Sequence, residues 1–129
     1  MSEPGLVADA SAILAILMGE PFTRLDPTRL NGASISAVNL AEVLTRLQDL
    51  TVPENTAAAA IAELDLRVVA FDEPFARRTA GLRAATRSAG LSLGDRACLA
   101  LGEASQCPVV TADRAWANVD VAVEIILIR

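Results

Sequence analysis

The amino-acid order predicts an α/β fold, with a central, mostly parallel five-stranded sheet flanked by helices on both faces. Short apolar runs alternate with longer stretches whose apolar residues recur at helical spacing, as when strands cross over through helices into a parallel sheet. Length and composition agree: 129 residues, 13.5 kDa and 53% hydrophobic content suit one domain over 1–129 with a filled interior. No internal repeat, low-complexity tract or linker interrupts the pattern.

Gly5-Leu6-Val7-Ala8 reads as a brief buried strand, followed by a helix through Ile13, Leu14, Ile16 and Leu17 that stops near Gly19-Glu20-Pro21. After the Asn31-Gly32 turn, residues 33–36 form a second strand. Residues 38–50 form a helix with Leu40, Val43, Leu44 and Leu47 on one face. Pro53 opens the next helix, over the alanine-rich 56–66, because proline suits a first helical turn. Residues 67–70 give a third strand, 72–88 a long helix ending at Gly90, and 94–104 another helix. A fourth strand at 108–111, a short helix and a fifth strand within 121–128 complete the order.

All 11 basic residues are arginine, against 16 acidic residues, for a net charge of −5; lysine, histidine and tyrosine are absent. Without lysine there is no Walker-type phosphate loop and no Schiff-base chemistry. Without histidine, Ser-His-Asp and Cys-His catalysis, His-ligated zinc and His-based RNA cleavage are excluded. The acidic balance argues against a protein that coats nucleic acid non-specifically. The apolar stretch 10–18 is too short to span a bilayer, and no basic residue precedes Arg24, so no membrane role and a cytoplasmic, reducing location are expected. Cys98 and Cys107 read as small buried hydrophobes.

In an open parallel sheet, ligands collect outside the carboxyl ends of the strands, where the strand order reverses. Asp9 ends the first strand, Asp113 lies just past the fourth, Asp95 opens the preceding helix, and Glu42 is one turn into the helix after the second strand. If these ends share an edge, four carboxylates meet in one cleft, and their mutual repulsion calls for a divalent cation. An all-oxygen donor set suits Mg²⁺ or Mn²⁺, and metal-assisted phosphodiester hydrolysis requires neither lysine nor histidine. Each acid also has an ordinary structural account. Asp9 and Asp113 sit where N-caps sit, Ser92-Leu93-Gly94-Asp95 resembles a capping box, and Glu42 is four residues before Arg46, at ion-pair spacing. Asp120 is a further acid able to approach the same cleft.

The segments Val7-Ala8-Asp9-Ala10-Ser11, Ser36-Ala37-Val38-Asn39-Leu40-Ala41-Glu42-Val43, Leu93-Gly94-Asp95-Arg96-Ala97-Cys98-Leu99-Ala100 and Val110-Thr111-Ala112-Asp113-Arg114-Ala115-Trp116 together resemble the PIN domain, and more narrowly the VapC ribonuclease toxins of type II toxin–antitoxin systems. The resemblance covers nearly the whole chain in the right order. It implies a PIN-like fold and a metal-dependent endoribonuclease in which Asp9, Glu42, Asp95 and Asp113 bind Mg²⁺ or Mn²⁺. Asp9 and Asp95 are the preferred direct ligands, with Asp113 close behind, and Glu42 orients a water or completes the shell. Ser11 and Thr111 match hydroxyl positions that hydrogen-bond the carboxylates or their waters, and Asn39 assists similarly or simply starts its helix. The resemblance further implies an RNA substrate, a homodimer, and a cognate VapB-type antitoxin in a hetero-oligomer.

Two departures from the family pattern stand out. Trp116 occupies a position where phenylalanine is more usual, and the lack of lysine leaves RNA backbone contacts to arginine, which binds phosphate bidentately. Arg96 and Arg114 directly follow two of the acids. Arg83 and Arg87, four apart, form either an RNA-facing ridge or a solvated face. Haloacid-dehalogenase-type and receiver domains fit poorly, since both use a lysine and the former place two aspartates two apart where this chain has Asp9-Ala10-Ser11. A PIN-like binding module without chemistry is the non-enzymatic alternative, and the presence of all four acids speaks against it.

Overall fold

The computed structural model describes residues 5–129 and joins β1 (Val7–Ala8), β2 (Ser34–Ser36), β3 (Arg67–Val69), β4 (Val109–Thr111) and β5 (Ile125–Leu127) in one sheet. Their order is β3-β2-β1-β4-β5, and every pairing is parallel, where the sequence predicts a mostly parallel sheet. The chain runs outward from β1 through β2 and β3, then returns to build β4 and β5 on the other side. The reversal therefore falls between β1 and β4, the point at which such sheets open a crevice at their carboxyl edge.

Strand register sets the two faces. Val7 lies opposite Val109 and Ala8 opposite Val110, and successive strand residues point to opposite sides. Ala8, Ile35 and Val110 pack with Ala12, Ile13, Val43, Leu47 and Ala57. These come from α1 (Ala10–Leu17), α2 (Ala37–Asp49) and α3 (Glu54–Glu63), which cover one face. Val7 and Val109 pack with Leu91, Leu99 and Trp116, joined by Phe75 and Leu82. Here α6 (Leu93–Ser105) and α4 (Glu73–Gly81) cover the other face. Helices thus lie on both faces, and two cores fill the space beneath them.

Caps fix where the helices begin. Ser36 accepts from Val38 N at 3.2 Å to start α2, and Asp72 accepts from Phe75 N at 3.2 Å to start α4. The long helix predicted over 72–88 is divided instead into α4 and a single turn, α5 (Arg83–Thr86). The break follows from Gly81, a weak helix former, and from Arg96, whose Nη1 donates to Thr79 O at 2.9 Å. The same carbonyl accepts Leu82 N at 3.3 Å in the turn that closes α4. A short 3-10 helix at Pro27–Leu30 is absent from the sequence reading. Its signal is Asp26-Pro27: Asp26 accepts from Thr28 N at 3.0 Å, and proline follows the cap. The short helix predicted after the fourth strand is a 3-10 helix, Arg114–Asn118.

Candidate active site

Asp9 leaves β1 and caps α1, its Oδ1 accepting from Ala12 N at 2.8 Å. Its carboxylate is buried, 4% exposed, at the strand end that borders the crevice. Ser11 Oγ stands 2.8 Å from Oδ1 and 2.9 Å from Oδ2, and Thr111 Oγ1, at the end of β4, donates to Oδ2 at 2.6 Å. Both hydroxyls also accept backbone protons, Ser11 from Ala112 N at 2.9 Å and Thr111 from Asp113 N at 3.0 Å. A hydroxyl has one proton to give, so each gives it to Asp9 and takes an N–H in return. The network laces β1 to β4 across the point where the strand order reverses.

Burial outweighs these donors. Asp9 is raised from 3.8 to about 6, first by loss of solvent and last by the negative charge of Asp95, against the lowering effect of Thr111, Ala12 and Ser11. The Cys98 thiol, fully buried on α6, is pushed up by burial and then by Asp9, Asp95 and Glu42 in turn. Three of the four motif acids therefore act on one buried thiol and share one region of the molecule. Cys98 fits the expected small buried hydrophobe; Cys107 is half-buried, and both are free thiols.

Asp95 and Ser92 form the capping box anticipated at the start of α6, with Asp95 Oδ2 accepting from Ser92 N at 2.9 Å and Ser92 Oγ accepting from Asp95 N at 3.2 Å. Glu42 is exposed at the start of α2 and pairs with Asn39, whose Nδ2 donates to Oε1 at 2.8 Å. The anticipated Glu42–Arg46 ion pair is absent among the described residues, because Asn39 holds the carboxylate toward α6 instead. The same Nδ2 donates to Gly94 O at 2.9 Å, which links α2 to α6. Asp113 enters the network through its backbone N–H, while its exposed carboxylate caps the 3-10 helix by accepting from Ala115 N at 2.9 Å. Asp120 is exposed beyond that helix.

Among the described residues, no three Asp, Glu, Cys or His side chains stand close enough to enclose a metal ion. Asp113 spends Oδ1 on its cap and Asp95 spends Oδ2 on its box, which leaves each with one carboxylate oxygen to offer. What remains is chemically apt for a hard dication: a desolvated carboxylate under the charge of a second one. Mg²⁺ needs no more, since it is commonly held by one or two carboxylates and keeps several waters.

Arg114 is exposed beside Asp113. Arg96 is half-buried, with its Nη1 on Thr79 O and its Nε buried without a partner among the described residues, a task within the fold that the sequence does not announce. Arg83 and Arg87 are exposed. Trp116 is fully buried in the second core, the packing role expected of it, although its indole Nε1 finds no partner among the described residues. The residue the sequence reading passed over is Gly94, against which the Glu42 carboxylate lies. Its one signal is a glycine inside a helix that alanine would suit better.

No curated protein matches the chain in sequence, but solved structures share its fold. DNA-bound VapBC from Salmonella typhimurium superposes with a TM-score of 0.70 at 19% identity, covering 95% of this chain and 97% of that one. VapBC-5 from Mycobacterium tuberculosis gives 0.62 at 24% identity, covering 98% and 99%. VapC20 from the same organism, a sarcin-ricin loop cleaving toxin, gives 0.62 at 16% identity, covering 93% and 99%. The family model of the PIN domain matches residues 6–122, which takes in all four acidic segments and every strand but β5, and so the chain belongs to the PIN domain family.

Proposed function

We propose that the chain is a metal-dependent endoribonuclease, the toxin subunit of a VapBC-type toxin–antitoxin pair. The observation that carries this reading is Asp9: a carboxylate buried at the switch point, raised to about 6 by burial and by Asp95, in a chain of the PIN family. Shared architecture with toxins of VapBC complexes and with a sarcin-ricin loop cleaving toxin supports it.

Asp9 and Asp95 would hold Mg²⁺ or Mn²⁺, with Asp113 and Glu42 completing the acidic set through waters. Bound there, the ion would offset the paired negative charge, polarise a phosphoryl oxygen and make water a better nucleophile. Ser11 and Thr111 keep both oxygens of Asp9 in fixed orientation, the service outer hydrogen bonds render to a ligand. Glu42 spends Oε1 on Asn39, and Oε2 is the oxygen available to accept a proton from the attacking water. Hydrolysis then adds that water across one P–O bond, leaving a phosphate on one fragment and a hydroxyl on the other. Arg114, exposed beside Asp113, would contact the RNA backbone.

An acidic cleft of this kind suits a VapB-type antitoxin that presents a basic residue, and pairing of two toxin copies as a homodimer accompanies the reading. The test is cleavage of RNA by the purified, antitoxin-free chain with Mn²⁺. Asp9→Asn and Asp95→Asn each abolish cleavage and growth inhibition while leaving the circular dichroism spectrum unchanged. Equal cleavage by either variant, or in excess chelator, refutes the assignment.

A further inference from the structure

Gly94 is the second residue of α6 and is buried. Backbone geometry does not require a glycine there, because its φ is not among the positive ones, which belong to Gly19, Gly32 and Gly90. Helix propensity opposes one, since alanine serves a helix interior better. Space is what requires it. A Cβ on Gly94 would stand 2.5 Å from Glu42 Oε1, 2.6 Å from Oε2 and 2.7 Å from Cδ, distances no methyl group tolerates. All three neighbours belong to the head of one side chain, so an added methyl displaces the Glu42 carboxylate and leaves the backbone of α6 in place.

Asn39 closes the arrangement from the other side. Its Nδ2 donates to Glu42 Oε1 at 2.8 Å and to Gly94 O at 2.9 Å, and Asn39 itself is buried. The carboxylate is thus held on one flank by an amide anchored to Gly94's own carbonyl, and on the other by the hollow where Gly94 lacks a side chain. We propose that Gly94 is a positioning residue for the reaction: its missing side chain is the seat of the Glu42 carboxylate, with Asn39 as the clamp. The catalytic consequence rests on the nuclease reading of the acidic site, whereas the seat itself does not.

Gly94→Ala tests both parts. In ¹H–¹⁵N spectra of the metal-free chain, the Asn39 side-chain amide signals move in G94A to where Glu42→Ala puts them, because either change takes the carboxylate from the amide. The melting temperature does not fall, since alanine favours the helix and the displaced group is the end of a flexible side chain. RNA cleavage with Mn²⁺ drops on the order of 100-fold, the scale for a group misplaced by about 1 Å. Adding Glu42→Asp to G94A, which shortens the side chain by one methylene, raises cleavage above that of G94A alone, although the same change lowers it beside the native glycine. Unmoved Asn39 signals, or cleavage by G94A at the parent rate, overturn the proposal. A parent chain that cuts no RNA refutes the nuclease reading, and the Asn39 signals then decide the seat without it.

Discussion

At Asp9, burial and hydrogen bonding pull in opposite directions. Ala12 N, Ser11 and Thr111 all favour the charged carboxylate, yet loss of solvent and the charge of Asp95 raise its value from 3.8 to about 6. The folded chain therefore holds a proton that the unfolded chain has released between those two values. The stability this group contributes is full below 3.8 and is lost as the pH rises through about 6. The rise from 3.8 to about 6 corresponds to roughly 3 kcal/mol. In chelator, the melting temperature of the parent chain accordingly falls, relative to Asp9→Asn, as the pH climbs from about 4 to about 7. Excess Mn²⁺ at about pH 7 then raises the parent and not the variant, by binding the folded state. Parallel melting curves across that range show that Asp9 is not a strained charge. The placement of Asp9 at a strand end is legible in Val7-Ala8-Asp9, because an apolar run followed by a cap residue is a local signal. Its short bond to Thr111, from a residue 102 positions away, is not legible from local pattern at all.

Helices and strands are legible to the extent that their signals are local. The two acids that cap and the capping box at Ser92 and Asp95 follow from neighbouring residue types, and the structure realises them. The division of the predicted 72–88 helix is half legible: Gly81 is a local signal, but Arg96 of α6, which reaches Thr79 O of α4 at 2.9 Å, lies on another element. Asn39's capture of Glu42 was hidden similarly, since a Glu at spacing four from Arg46 already had a local partner to propose. These two cases separate the arginines that follow motif acids. Arg96→Ala removes a charged donor from a helix-end carbonyl and lowers stability by about 1.5–3 kcal/mol. Arg114→Ala, on an exposed side chain, leaves stability within about 0.5 kcal/mol and weakens RNA binding at low salt more than at high salt. Denaturant melts and filter-binding assays on the two variants read both effects. Equal stability for the pair would place Arg96 outside the α4–α6 interface.

The molecule as a whole places its acids by the way α6 lies on the sheet. α6 carries Asp95 and Cys98, and its Gly94 meets Glu42 of α2, while its far end rests on β4, the strand that brings Thr111 to Asp9. Gly102 makes that rest possible. A Cβ there would collide with Val109 Cγ1 and approach Cys107 O and Val123 Cγ2 to 3.2 Å. Val109 is fully buried in the second core, and Cys107 O is backbone, so none of these neighbours yields as the Glu42 head yields to a methyl at Gly94. The two glycines of one helix thus predict opposite outcomes for one substitution. Gly102→Ala gains at most about 1 kcal/mol in helix propensity and loses about 1–3 kcal/mol or more to overpacking, so it melts below the parent. G94A melts at or above the parent and loses its function locally. Relief of the overlap in G102A pushes the C-terminal part of α6 from β4, and on the proposed metal site, which takes Asp95 from the same helix, the affinity for Mn²⁺ measured by calorimetry falls with the melting temperature. A G102A chain that melts with the parent and binds Mn²⁺ equally well would show that the sheet, and not this helix contact, sets the distance between the two carboxylates.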